Sequence, residues 1–230
     1  MAGDDLSALM RQGEELRWQR RYDEAAAVFA EVVRQAESSR QEDRLADALV
    51  WLSIVRSLAT PSEDGLQEAL QLQERALSLD AAKHGEAHPR VAETLRNIGR
   101  TLTTMGRQHE AIERLTRAAD IFRATSTGST GAEDTLAQLV ALLEEQADYT
   151  SSVEIATELV ALCTQLGDDM RLTMAHFHLG RALVMVGRGS DAIPQLERVL
   201  ELAGPRIAKG SAQRLVSEVN DWLVRARTGT

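Results

Sequence analysis

A short motif recurs five times along this 230-residue chain, and its spacing constrains the fold more than any other feature. Each copy carries a small residue at its fourth position, and successive small residues are 44, 42, 41 and 40 residues apart. They are Ala25, Ala69, Ala111, Ser152 and Ala192. A period of this length is typical of repeat architectures, in which each unit buries its apolar face against its neighbours.

Each unit shows helical periodicity twice, with a short break between the two stretches. In the third unit, apolar or small residues follow the i, i+3, i+4, i+7 pattern over 95–102, Gly106 interrupts the pattern, and residues 111–121 resume it. The pattern predicts a helical hairpin. Glycine within a helix costs about 1 kcal/mol relative to alanine, yet Gly13, Gly99 and Gly180 recur at the same place in the first helix. Close approach of the two helices would explain these glycines.

Composition and charge narrow the class of protein. Aromatic residues make up only 3% of the chain, and strand signals are nearly absent. A formal charge of −9 argues against a partner such as nucleic acid or an anionic membrane. No run of about 18 apolar residues and no basic, apolar leader is found. A single cysteine, Cys163, suits a reducing compartment. We therefore expect a soluble, cytoplasmic protein.

These units resemble tetratricopeptide repeats (TPRs). The shared features are a small residue midway along the first helix, a glycine or tyrosine at the turn, and an alanine early in the second helix. The step of about 42 residues and the run HPRVAETLRNIGRTLTTMGR, residues 88–107, are similar to the longer repeats of kinesin light chain, where a His-Pro loop precedes the first helix. The second unit departs by an insertion at 58–65, and the fourth has Val140 and Ser152 in place of the usual small residues.

The resemblance implies an all-α fold, namely a right-handed α-solenoid of five helix-turn-helix repeats followed by a C-terminal capping helix. It predicts one domain over residues 1–230. The repeats are expected at residues 6–40, 42–84, 88–125, 132–167 and 169–204, and the capping helix at 209–227. The polar, glycine-containing stretch 124–134 is a candidate hinge between the third and fourth repeats.

In this family the first helices line a concave groove that binds an extended peptide or a partner helix. In the second repeat Val50, Trp51 and Ile54 are apolar, although other residues of the same helix already form its core stripe. Two interpretations stay open at this point. Either the second apolar face is covered within the chain, or it anchors a partner, with Trp51 and Trp18 as candidate contact residues.

The polar part of the predicted groove consists of two clusters. They are Arg96, Asn97 and Arg100, and two repeats later His178 and Arg181, beside which Phe177 is a further predicted groove residue. Arginine suits carboxylates, and asparagine both donates to and accepts from a peptide backbone. The predicted partner is therefore a protein or extended peptide, with an acidic side chain or a C-terminal carboxylate. Alternatively, Arg96 and Arg100 pair with Glu93, Asp134 or Glu144 of the chain itself.

Signals for catalysis are weak. His84 and His88 are four residues apart, but Gly85 and Pro89 predict a loop without a third metal ligand. Residues 187–190 lack the lysine of a phosphate-binding loop. We predict a non-enzymatic adaptor without metal or cofactor. Two alternatives are a regulatory sensor that changes shape around a small signalling peptide, and a homo-oligomeric structural protein whose apolar second repeat forms a homodimer face.

Overall fold

The computed structural model of the protein describes residues 2–59, 62–125, 130–207 and 213–229. Within these ranges the chain forms eleven α-helices and no strand, which confirms the all-α prediction. The helices are α1 (Ala2–Trp18), α2 (Tyr22–Ser38), α3 (Glu42–Ala59), α4 (Glu63–His84), α5 (Pro89–Thr104), α6 (Gln108–Ala124), α7 (Thr130–Glu145), α8 (Tyr149–Leu166), α9 (Asp169–Met185), α10 (Gly189–Ile207) and α11 (Gln213–Thr228).

The first ten helices form the five predicted hairpins, and α11 follows them. The turn inside four of these hairpins has one residue in the left-handed region, namely Arg20, Gly106, Ala147 and Gly187. In each turn, the amide N–H that follows this residue donates to a carbonyl five positions earlier in the chain, at 2.8–2.9 Å. This hydrogen bond closes the first helix and reverses the chain. Gly106 and Gly187, which interrupt the apolar pattern in the sequence, therefore lie where the first helix of their hairpin ends.

The hairpins divide between two compact units, residues 1–127 with α1–α6 and residues 128–230 with α7–α11. Within the first unit each helix packs against the next, and α3 also contacts α1 and α5. Within the second unit α9 similarly contacts α7 and α11. First helices therefore lie beside one another within each unit. The candidate hinge, 124–134, spans the division, and its residues 126–129 lie outside the described residues.

The insertion in the second repeat lengthens its helices instead of forming a long loop. Helix α3 continues to Ala59, and α4 begins at Glu63 and runs for 22 residues. The side chain of Ser62 caps α4 by accepting a hydrogen bond from the Gly65 amide at 3.2 Å. Residues 60–61 of the predicted insertion lie outside the described residues.

Each hairpin depends on a close contact between a residue of its first helix and a residue of its second. In three hairpins the first residue is glycine. A methyl group placed there would lie 2.6–2.7 Å from a buried side chain, in the pairs Gly13–Phe29, Gly99–Leu115 and Gly180–Leu196. These distances are shorter than van der Waals contact, so only glycine permits this separation of the helices. The expected reason for the recurring glycines is confirmed.

The other two hairpins fill the same contact differently. In the fourth, Val140 is large and its counterpart Ala156 is small, and both are fully buried. The departure noted in the sequence is therefore compensated by exchanging the sizes of the two residues. In the second, both helices contain a buried polar residue, Ser53 on α3 and Gln73 on α4.

We expect Gly99→Ala to lower the free energy of unfolding by about 1–3 kcal/mol, because the new methyl group would overlap Leu115. Urea denaturation followed by circular dichroism measures this change. The matched control is Gly204→Ala in α10, where the added carbon would have no atom of the described residues within 4 Å beyond its chain neighbours and the backbone of its own helix. That control should be neutral or stabilising by up to about 1 kcal/mol. Equal effects of the two substitutions would contradict the close-contact explanation.

A second stability prediction concerns Ser152, which replaces the alanine found in the other four repeats. Its hydroxyl oxygen is buried and has no hydrogen-bond partner. Removing it in Ser152→Ala should stabilise the protein by about 1 kcal/mol, since an unsatisfied buried polar group is lost. The reciprocal change Ala111→Ser at the equivalent buried position should destabilise by a similar amount. Loss of stability in Ser152→Ala would refute this account.

Cys163 is fully buried in α8. Burial, together with the negative charge of Asp168, raises the pKa of this thiol to about 11. Only the thiolate reacts with disulfide reagents. At pH 8, about three pH units below this pKa, about one thiol in a thousand would be ionised. We therefore expect Ellman's reagent to label Cys163 only after unfolding in guanidinium. Rapid labelling of the native protein at pH 8 would disprove this expectation.

Candidate partner-binding surface

The first unit contains a cavity of about 460 Å³ between α1, α3, α4 and α5, here called the Trp51 cavity. It brings together six of the predicted site residues, namely Val50, Trp51, Ile54, Arg96, Asn97 and Arg100. Its other lining residues include five charged residues that were not among the predicted site residues, namely Arg17, Asp47, Asp80, Arg90 and Glu93.

Helix α3 forms the apolar wall of the Trp51 cavity. Val50, Trp51 and Ile54 are half-buried. The indole of Trp51 stacks on the ring of Phe29, with centroids 6.0 Å apart and an interplanar angle of 10°. The second apolar face of α3 is thus partly covered by its own chain and partly open to the cavity. The first interpretation, coverage within the chain, is therefore partly met.

Arg17, at the end of α1, lies between two tryptophans. Its guanidinium carbon is 4.3 Å from the ring centroid of Trp18 and 5.0 Å from that of Trp51. Trp18 does not line the cavity and is 75% exposed. Both contacts are cation–π interactions, which restrict the arginine fork. Arg17 was not among the predicted site residues, although it directly precedes the predicted contact residue Trp18.

Arg90 lines the cavity and links its own helix, α5, to α3 and α4. Its guanidinium donates to the Asp80 carboxylate on α4 and to the Asp47 carboxylate on α3, each at 2.8 Å. Asp80 is only 3% exposed, and it also accepts from the hydroxyl of Thr94 at 3.1 Å. Burial acts to lower the pKa of Arg90, but the hydrogen bonds to the two carboxylates outweigh it, so this pKa is raised. The three charges therefore form a structural network.

The predicted basic cluster on α5 is partly paired within the chain. Arg96 forms an ion pair with Glu93 at 2.6 Å. Arg100 donates to the Asn97 side-chain oxygen at 3.2 Å. The pairing with Glu93, one of the alternatives that the sequence suggests, is therefore present. The Asn97 amide N–H groups make no hydrogen bond within the described residues and lie at the cavity.

The predicted cluster on α9 lies in the second unit, where Glu144 engages it. The His178 Nδ1 atom is 2.9 Å from a Glu144 carboxylate oxygen, and Arg181 forms an ion pair with the same carboxylate. Both residues line a cavity of about 420 Å³, together with Trp222. Phe177 is buried, at 5% exposure, and its ring lies beneath the Arg181 guanidinium at 5.7 Å instead of lining this cavity.

The two histidines before α5 have structural contacts. The rings of His84 and His88 stack with centroids 4.6 Å apart, and His84 lies 2.9 Å from the Asp43 carboxylate. Hydrogen bonds from Lys83 and then His84 lower the pKa of Asp43. His88 caps α5 by accepting from the Arg90 amide. In the part of the chain that the structure describes, no group of three or more potential metal ligands occurs.

None of the helices in the described ranges is both long enough and apolar enough to cross a membrane.

The family described as tetratricopeptide repeat matches residues 63–124, which comprise α4, α5 and α6. No curated protein sequence matches the chain.

Solved structures match almost the whole chain in fold. The nearly identical TPR-like repeats of a Podosopora anserina protein described as a kinesin light chain are 18% identical, with a TM-score of 0.71. The match covers 88% of this chain and 96% of that one. BtubC (BKLC) from P. vanneervenii is 16% identical, with a TM-score of 0.76 and coverage of 89% and 82%.

A third structure is a signal transduction ATPase with numerous domains from Pyrococcus horikoshii, which contains a tetratricopeptide repeat sensor. It is 13% identical, with a TM-score of 0.73, and the match covers 98% of this chain but 33% of that one. At such identities, the three likenesses establish the fold alone.

Proteins built from tetratricopeptide repeats typically act as non-catalytic scaffolds that bind other proteins. The matched segment, the five hairpins and the solved structures agree with one another. Residues 63–124 therefore match the tetratricopeptide repeat family, and the chain resembles the repeat proteins of the kinesin light chain type in fold.

Proposed function

We propose that this chain is a non-enzymatic adaptor that holds a segment of a protein partner, in extended form, in the Trp51 cavity of its first unit. The observation that carries this proposal is the pairing of an open apolar wall on α3 with a polar wall on α5 in one cavity. Recognition sites for peptides usually combine an apolar pocket with a few placed polar groups.

The apolar wall would bind a large side chain of the partner. Trp51 and Ile54 are half-buried in the free protein, so a partner side chain would remove their remaining apolar surface from water. Each Å² of apolar surface removed contributes about 25 cal/mol. Trp51 is already held by Phe29, so little conformational freedom is lost on binding. Tryptophan is common among the residues that dominate binding energy.

The polar wall would bind the peptide backbone. The free amide N–H groups of Asn97 can donate to a backbone carbonyl of the partner. Arg100 is held against Asn97 and faces the same cavity. In the second unit, the His178 and Arg181 side chains bind Glu144, so a partner would have to compete with that carboxylate. We therefore place the principal contacts on the first unit.

The single buried cysteine suits a reducing environment, and we propose a cytoplasmic location on that basis.

Affinity capture with quantitative mass spectrometry tests the adaptor function. The wild type is compared with Trp51→Ala, with Arg96→Glu/Arg100→Glu, and with the control Arg34→Glu. Arg34 is an exposed residue of α2 that pairs with Glu31 away from the cavity. We expect both cavity variants to lose at least about 90% of a specific partner, corresponding to about 1.4 kcal/mol or more, and the control to retain it.

Circular dichroism first establishes that all variants remain helical. A partner set that is unchanged in both cavity variants, or lost equally in the control, would refute the proposal. Light scattering of the purified chain separates the remaining hypotheses. A dimer that Trp51→Ala dissociates would support the homo-oligomer, and a ligand-dependent change in hydrodynamic radius would support the sensor.

A further inference from the structure

Two residues of a neighbouring cavity contain buried polar atoms without a hydrogen-bond partner. They are Nε of Arg17 and the side-chain oxygen Oε1 of Gln73. Both residues line a cavity of about 360 Å³ in the first unit. This cavity shares Arg17, Ile54 and Arg100 with the Trp51 cavity, so the two are adjoining parts of one groove. Since buried polar groups in proteins are almost always paired, such atoms require an explanation.

Gln73 stands at a position that folding alone would fill with an apolar residue. It follows the small residue Ala69 of its repeat by four positions. The equivalent residues of the other repeats are all apolar and fully buried, namely Phe29, Leu115, Ala156 and Leu196. Gln73 is equally buried, at 1% exposure. An amide at this core position destabilises the free protein, and positions of this kind are typically functional.

Arg17 carries a charge that no carboxylate neutralises in the described part of the groove. The acidic residues that line the two cavities are Asp47, Asp80 and Glu93. Arg90 binds the first two, and Arg96 binds the third. The two indole rings hold the Arg17 guanidinium in place, but they supply no hydrogen-bond acceptor for it.

We propose that Arg17 and Gln73 form a subsite for an aspartate or glutamate side chain of the bound peptide. This inference rests on the proposed adaptor function and specifies what the groove selects. The Arg17 guanidinium donates hydrogen bonds to the carboxylate, and Gln73 Oε1 accepts one from a peptide N–H beside it. The apolar side chains of Ile54, Leu58 and Leu66 line the same cavity and reduce the competition from water.

The acceptor on Gln73 distinguishes a peptide from a simple anion. An inorganic phosphate or sulfate dianion has no N–H group to offer, so its oxygens would face the Gln73 oxygen without compensation. Such an anion also requires several cations, whereas Arg90 and Arg96 already bind carboxylates of the chain. A peptide satisfies both unpaired atoms, because it contains a carboxylate acceptor and backbone donors.

Phage display of random linear 12-residue peptides provides the test. Selections use the wild type, Arg17→Gln, and the control Arg34→Gln, which removes the same charge from an exposed site in the same unit. We expect peptides selected by the wild type and by Arg34→Gln to share an aspartate or glutamate at one position. Arg17→Gln should lose that preference, since glutamine cannot supply the charge or the fork.

The strongest selected peptide is then synthesised with its acidic residue intact or changed to the amide. Fluorescence anisotropy should show at least about tenfold weaker binding for the amide peptide to the wild type, and for the acidic peptide to Arg17→Gln. The two changes together should weaken binding little further, because they remove the same interaction. Arg17→Lys, which keeps the charge but not the planar fork, should show an intermediate loss.

Gln73→Leu tests the second half of the subsite. Because it replaces an unpaired amide by the residue found in the third and fifth repeats, it should raise Tm by about 2–6 °C. The same substitution should weaken binding of the selected peptide at least about fivefold. A higher Tm together with unchanged affinity would remove Gln73 from the subsite.

The outcomes separate this inference from the adaptor function. If the wild type enriches no peptide above unfolded protein, the adaptor function itself fails, and the subsite with it. If it enriches peptides without a common acidic position, or if Arg17→Gln keeps the same preference, the groove binds peptides but Arg17 does not select a carboxylate. Circular dichroism and a thermal melt of every variant exclude unfolding as the cause of a lost preference.

Discussion

The close contact between the two helices of each hairpin is the interaction on which the rest of the structure depends. Three hairpins achieve it with a glycine against Phe29, Leu115 or Leu196, and in the fourth the equivalent residues are Val140 and Ala156, both fully buried. The fourth hairpin has a larger residue on its first helix and a smaller one on its second, so the summed size resembles that of Gly99 and Leu115. Protein interiors tolerate exchanges that conserve volume, because they lose neither contacts nor space. This rule explains why the departure in the fourth repeat leaves the hairpin intact.

The second hairpin is the exception, and it adjoins the proposed binding groove. There the position equivalent in sequence to Phe29 and Leu115 is Gln73, whose side-chain oxygen is buried and unpaired, and both helices of the hairpin, α3 and α4, are lengthened. Polar groups buried without partners reduce stability, and proteins retain them chiefly where a ligand or a mechanism uses them. The same region contains the half-buried Trp51 and the unpaired charge of Arg17. Two buried polar atoms without a partner therefore adjoin one groove in the first unit.

The cavities of the two units also show why a count of basic residues is a poor guide to a binding site. Arg90, Arg96 and Arg181 all have carboxylates of the chain within ion-pair distance. Replacing such a partner with a ligand carboxylate exchanges one ion pair for another, so the net gain is small. Arg17 differs because its neighbours are aromatic rings, which hold the cation without occupying its hydrogen-bond donors.

The sequence by itself determined the helical hairpins, their order and their spacing. The helical periodicity of apolar residues and the glycines at helix ends are local signals, and they recur from repeat to repeat. The sequence also identified half of the residues that line the Trp51 cavity, since helix position follows from that period. Only the tertiary structure decided which side chains are paired and which are free. Arg17 meets Trp51, Arg90 meets Asp47, and Arg181 meets Glu144, each across more than 30 residues. Such contacts depend on how neighbouring helices pack, and a one-dimensional pattern does not contain that information.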